Sequence, residues 1–139
     1  MRKWTLWAGW GALLLVLVGA SPGLAPAADL DGSAPILCAV MGVMECDRWG
    51  QCEPVERQSA GLPPFVRIDV GQRVLQATDG TGRRSEIHAS TQAAERLILH
   101  GEERGRSWNL VIGQRSGEMT AAIVDSDGAF VVSGTCTLP

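Results

Sequence analysis

The chain has 139 residues, with 12 basic and 15 acidic side chains and no Tyr. That length suits one domain with a modest core. The acidic balance argues against a nucleic-acid partner, which a basic surface would favour.

Met1-Arg2-Lys3 opens the chain with positive charge, and the run from Trp4 to Ala20 then carries none. Small residues and prolines follow up to Asp29. A charged, then apolar, then small-residue order is that of a secretory signal peptide. Ala25 and Ala27 predict cleavage after Ala27, with Ala28 nearly as good. The apolar run, about 17 residues, is short of the roughly 20 that a spanning helix needs. Pro22 and Gly23 would break a helix where it had to continue. Residues 1–27 are therefore expected to be removed, leaving a single domain over 28–139 with no membrane span. Loss of Arg2 and Lys3 takes the basic residues from 12 to 10 against 15 acids, a net charge of −5. No Cys follows the cleavage site closely enough for lipidation, and no twin-arginine pair precedes the apolar run. The domain is expected to cross the membrane unfolded, without a cofactor, and to work in the periplasm or outside the cell.

Ile36 to Met44 is continuously apolar and fits a buried strand or a buried helix. Its β-branched residues, short length and Gly42 favour strand. Four cysteines in an exported chain read as disulfides. Cys46 and Cys52 bracket a short loop containing turn residues, so their ends meet locally. Cys38 and Cys136 then tie the start of the domain to its end. The competing pairing is Cys38–Cys46. The C-x7-C-x5-C spacing lacks the close pairs of a zinc site. Met41 and Met44 between the cysteines would suit Cu(I) on a loop. On a regular strand they face opposite ways and read as core.

From Pro64 onward, short apolar stretches recur between turn residues, the spacing of an all-β sandwich or barrel. Val66, Ile68 and Val70 alternate with polar residues, and Arg73 to Thr78 follows after Gly71-Gln72. Asp79-Gly80-Thr81-Gly82 is a turn, and Ser85 to Ser90 alternates again. Thr91 to Glu95 reads as a connection, although Ala93, Ala94, Leu97 and Ile98 also have helical spacing. Arg96 to His100 is taken as a strand. Trp108, Leu110 and Ile112 alternate, Met119 to Val124 follows Ser116-Gly117, and Phe130 to Cys136 follows Asp127-Gly128. Phe130, Val132, Gly134 and Cys136 share one face. The expectation is a small antiparallel up-and-down meander of about eight strands, barrel or sandwich, with a ninth if Gln51 to Glu56 pairs.

In a meander every second turn lies at the same end. Turns 79–84, 101–106 and 125–128 would share one densely charged end. Arg83, Arg84, Arg104, Arg106, Asp125 and Asp127 there form a candidate binding surface, because Arg suits carboxylate or phosphate. Asp79, Asp125 and Asp127 would be its candidate Ca²⁺ ligands, although Asp-Gly pairs are ordinary hairpin chemistry. Neither His88 nor His100 stands in a catalytic motif, and His100-Gly101-Glu102-Glu103 is not the zinc-protease signature. The expectation is a protein without enzymatic activity.

Early cysteines, the strand Ser107-Trp108-Asn109-Leu110-Val111-Ile112 and the ending Val132-Ser133-Gly134-Thr135-Cys136 resemble those of small secreted bacterial β-proteins. The architecture is also loosely similar to the periplasmic inhibitors of C-type lysozyme, small barrels in which an early and a late Cys join. That family's Ser-Ala-Ser-Gly-type inhibitory loop is missing here, and Gln114-Arg115-Ser116-Gly117-Glu118 is the nearest stretch. The sequence thus points to an exported, non-catalytic module that binds an envelope or extracellular protein or a small ligand. The alternatives are a structural subunit of an envelope complex and a hydrolase inhibitor of the lysozyme type.

Overall fold

The computed structural model describes residues 29–139; the predicted signal peptide and its cleavage site lie outside the described residues. Nine strands follow one another, and no helix occurs among the described residues. They are β1 (Ile36–Asp47), β2 (Cys52–Pro54), β3 (Phe65–Asp69), β4 (Val74–Ala77) and β5 (Arg84–Ala93). β6 (Arg96–Glu103), β7 (Arg106–Gly113), β8 (Glu118–Val124) and β9 (Gly128–Thr137) complete the set. All pairings are antiparallel, in the order β2-β1-β3-β4-β5-β6-β7-β8-β9, and β1 also pairs with β9. Eight strands thus close an up-and-down barrel, with β2 as an extra strand beside the upper half of β1.

Alternation decides which side chains fill it. Ile36, Ile68, Ile87, Leu97, Leu99 and Ile112 are fully buried, and Trp108, Leu110, Met119 and Val132 join them. Burying a large apolar side chain contributes about 1.5–3 kcal/mol, which offsets the entropy of ordering these strands. The alternation seen in the sequence puts Trp108 and Cys136 inside, as expected.

Both expected disulfides form. Cys38–Cys136 joins directly opposite residues of β1 and β9, with Cα atoms 4.0 Å apart. Cys46–Cys52 joins opposite residues of β1 and β2, also at 4.0 Å. The first bridge lies on the seam where the barrel closes. Two disulfides are the mark of an oxidising compartment.

Residues 91–99 are not helical. β5 and β6 form a hairpin whose turn is only Ala94-Glu95, both with positive φ (50° and 59°). The connection expected over Thr91 to Glu95 is therefore mostly strand. The strand at Arg96 to His100 is present and runs on to Glu103.

Trp108 shows how tightly the wall is fitted. Its indole N–H donates to Ser85 Oγ at 2.7 Å, and that hydroxyl donates to the Glu102 carbonyl at 3.1 Å. The ring lies against Gly101, the residue opposite Trp108 on β6. A Cβ at Gly101 would collide with the ring and with the Glu86 carbonyl. Gly101→Ala is therefore expected to destabilise by about 1–3 kcal/mol through overpacking, read as a lower urea midpoint with an unchanged slope.

Candidate functional site

Each end of the barrel is closed by a different piece of chain. At the end where β1 begins, Leu30 is buried and its N–H donates to the Gln114 carbonyl at 3.0 Å. At the other end the 55–64 loop crosses the opening. Pro63 is buried, and Leu62 packs on the core. Arg57 Nη1 donates to the Leu62 carbonyl at 2.7 Å, which folds the loop on itself. Arg83 fastens it to the rim: one guanidinium nitrogen donates to Gly61 O at 2.7 Å, and the fork grips Glu103.

Under this cover is a cavity of about 90 Å³, lined mainly by apolar side chains that include Val40, Leu62, Leu75, Trp108, Met119 and Ile123. Ligand pockets for ordinary small molecules run to roughly 300–1,000 Å³. The interior is close to filled.

The meander does gather the expected turns at one end, and of the six predicted surface residues it brings Arg106, Asp125 and Asp127 together along one groove, while Arg83, Arg84 and Arg104 stand apart from them. Arg83 turns inward to Glu103, and Arg106 pairs with Asp125 at 3.1 Å. The Arg106 guanidinium also lies 5.8 Å from the Phe130 ring centre. Arg84, opposite Gln76, alternates with the inward Ser85 and is exposed on the outer wall. Arg104 sits in the β6–β7 turn with φ 53°. Asp125 also accepts from the N–H groups of Asp127 and Gly128 (2.8 and 3.2 Å), which shapes the β8–β9 turn. Asp127 is exposed in that turn.

In the β4–β5 turn, the Thr81 hydroxyl and then its N–H hold the Asp79 carboxyl below the usual aspartate range. That turn is thus tightest when Asp79 is ionised and loosens as acid protonates it. Among the described residues no three His, Cys, Asp or Glu side chains are grouped to hold a metal.

The outer wall holds what the sequence did not suggest. A β-bulge interrupts β1 between Val40 and Gly42, leaving Met41 without a partner on β9. Beyond the bulge the alternation of β1 shifts by one. Val43 now points in, and Met44 points out beside Val131 and Pro54. Met41 and Met44 are therefore both exposed (74% and 37%), whereas a regular strand would put them on opposite faces. Val131 is exposed too, with Ala122 across from it on β8; Val124 lies opposite Ala129 in the next row, and Phe65 on β3 lies opposite Ala39 of β1. Trp49, 80% exposed, stands in the Cys46–Cys52 loop that follows this part of β1, under the Arg48 guanidinium. The sequence left the place of this Trp undecided. A bulge is what Gly42 inside a strand pattern can signal; it was the one clue to this surface.

Beside the strip, an open groove runs between the β1–β2 loop and the β8–β9 turn. Glu45, Asp47, Glu53, Asp125 and Asp127 line it, with Arg106 as the one cation there among the described residues. The Gln114–Glu118 stretch lies at the opposite end. There Gly117 has φ 72° and its carbonyl accepts from Cys136 N–H at 2.7 Å, so this turn is tied to β9.

The fold defines a small closed up-and-down barrel stapled at its seam. No family model, curated protein or solved structure matches the chain.

Proposed function

We propose that this protein is exported by a signal peptide cleaved after Ala27, and that it acts in the periplasm or outside the cell as a non-catalytic module binding a protein partner. The observation that carries this reading is the apolar strip of Met41, Met44, Val131 and Val124 on the outer wall, with Phe65 on β3 and Trp49 in the Cys46–Cys52 loop also exposed. Grouped exposed apolar side chains mark interaction sites, whereas scattered ones do not. Met and Trp are also enriched where partners are held. The nearly filled interior favours a macromolecule over a small ligand within the barrel. The carboxylates along the adjoining groove favour a partner that presents basic residues there.

The test is capture from an envelope extract by the immobilised 28–139 domain, compared with Met44→Thr/Val131→Thr. Both side chains are on the outside and directly opposite one another, and Thr is a good strand former that brings no like charges together, so the double variant is expected to keep the melting profile of the parent. Each exposed anchor lost from a protein interface is worth about tenfold or more in affinity when it lies at a hot spot. The captured partner is expected to fall by that factor and to be released by added salt, which screens the groove. Equal capture by both proteins would remove the strip from the account. If the captured partner is a lysozyme-type hydrolase whose activity falls on binding, the module is an inhibitor.

A further inference from the structure

The barrel wall is not paired evenly all the way round. β4 matches β5 only between Val74–Gln76 and Arg84–Glu86, whereas β5 continues along β6 to Ala93. Just past Glu86, Arg73 stands in for the missing strand. Its carbonyl accepts from Ile87 N–H at 2.9 Å, and its guanidinium donates to the carbonyls of Ile87 (3.0 Å) and His88 (2.7 Å). From Ala89 to Ala93 no strand among the described residues lies on that side, and every residue from His88 to Ala93 is exposed.

Alternation says which main-chain groups face this open edge. A two-residue turn with both residues at positive φ makes its flanking pair, Ala93 and Arg96, a hydrogen-bonded one. Ala93, Thr91 and Ala89 then direct their N–H and C=O groups to β6. Ser90 and Gln92 direct theirs outward. Below Ala89 the alternation is broken by a bulge between Ile87 and Ala89, which brings the carbonyls of both Ile87 and His88 to Arg73 on this edge.

We infer that this edge pairs with the same edge of a second copy of the chain, antiparallel about a twofold axis at Thr91. With that axis, Ser90 stands opposite Gln92 of the partner subunit, and each such pair exchanges both of its main-chain hydrogen bonds. Self-complementarity of this kind is what a twofold interface demands. The side chains alternating with them on the outer face, Ala89, Thr91 and Ala93, are small. No residue from Ala89 to Ala93 is charged, so like meets like without repulsion.

The other breaks in the wall are protected in ways this one is not. β2 has three residues and ends in Pro54. On β1, Val40 N–H donates to the Pro64 carbonyl, and the Val43 carbonyl accepts from Val55 N–H, on either side of the bulge. Lys, Pro and charge are the usual means of blunting an edge, and Ala89 to Ala93 has none of them. The contact is short, which places it among weak interfaces. It is separate from the apolar strip and does not depend on it.

Sedimentation of the 28–139 domain up to about 1 mM is expected to show a monomer–dimer equilibrium of this weak class. Amide exchange at Ser90 and Gln92 is expected to slow as concentration rises. Thr91→Cys places the two Cβ atoms about 4.5–5.5 Å apart across a non-hydrogen-bonded pair, close to disulfide range. It should cross-link under mild oxidation, while Thr120→Cys on the outer face of β8 should not. Ser90→Pro removes an edge N–H but no β5–β6 bond, so it should keep the fold and abolish the dimer. A monomer throughout the concentration range, with exchange at residues 90 and 92 independent of concentration, would overturn the inference. So would a dimer that Ser90→Pro leaves intact.

Discussion

Replacing both Cys38 and Cys136 with Ser is expected to lower the stability of the barrel by about 2–5 kcal/mol, near the upper end. The bridge spans 98 residues of sequence. On the chain-entropy account, a loop of about 100 residues corresponds to roughly 4.7 kcal/mol. The Cys46–Cys52 bridge spans only 6 residues, and the same relation gives it about 2 kcal/mol. Position adds to the difference. Cys38 and Cys136 are both buried at the β1–β9 seam, so Ser there also places hydroxyls in an apolar layer beside Ile36 and Val132. Urea denaturation of the two double-Ser proteins separates these effects. The seam variant should lose most of its midpoint and the loop variant much less. Equal losses would mean that the barrel does not depend on its seam being tied.

Trp108→Ala is expected to cost about 3–5 kcal/mol, as for other large aromatic truncations in a core. Trp108 is 9% exposed and lines the covered cavity of about 90 Å³, so the space it vacates adds to one already there. Collapse from the β6 side is limited because Gly101 has no side chain to move in. Ser85, 5% exposed, would lose its indole partner but keep its bond to the Glu102 carbonyl. Trp108→Phe should keep much of the packing and lose the indole hydrogen bond, costing about 1 kcal/mol for that bond with a packing loss added. Denaturation of both variants followed by circular dichroism checks the ordering. Fluorescence adds a second reading, since the buried Trp108 should emit to the blue of the exposed Trp49.

Much of the fold was legible because a barrel wall repeats a period-two pattern. Val66–Ile68, Trp108–Leu110–Ile112 and Val132–Cys136 alternate cleanly, and all face inward. The seam bridge followed from the positions of Cys38 and Cys136 near the two ends of the domain. The β5–β6 hairpin was harder. Its turn uses Ala94 and Glu95 at positive φ, where Asn or Gly would have announced it.

The candidate surfaces were less legible. Charge at one end was visible, but whether Arg83 and Arg106 point out or in depends on the strand alternation and on partners far along the chain, Glu103 and Asp125. The exposed strip depends on one inserted residue. The bulge at Met41 turns the second half of β1 over, and a period-two reading carried through Gly42 puts Met44 on the wrong face.

Non-reducing peptide mapping of the protein recovered from the cell that makes it tests export and seam closure together. An N-terminal peptide beginning at Ala28, a linked pair containing Cys38 and Cys136, and a second link between Cys46 and Cys52 are expected. A Cys38–Cys46 link, or free thiols in a chain that still begins at Met1, would contradict that expectation.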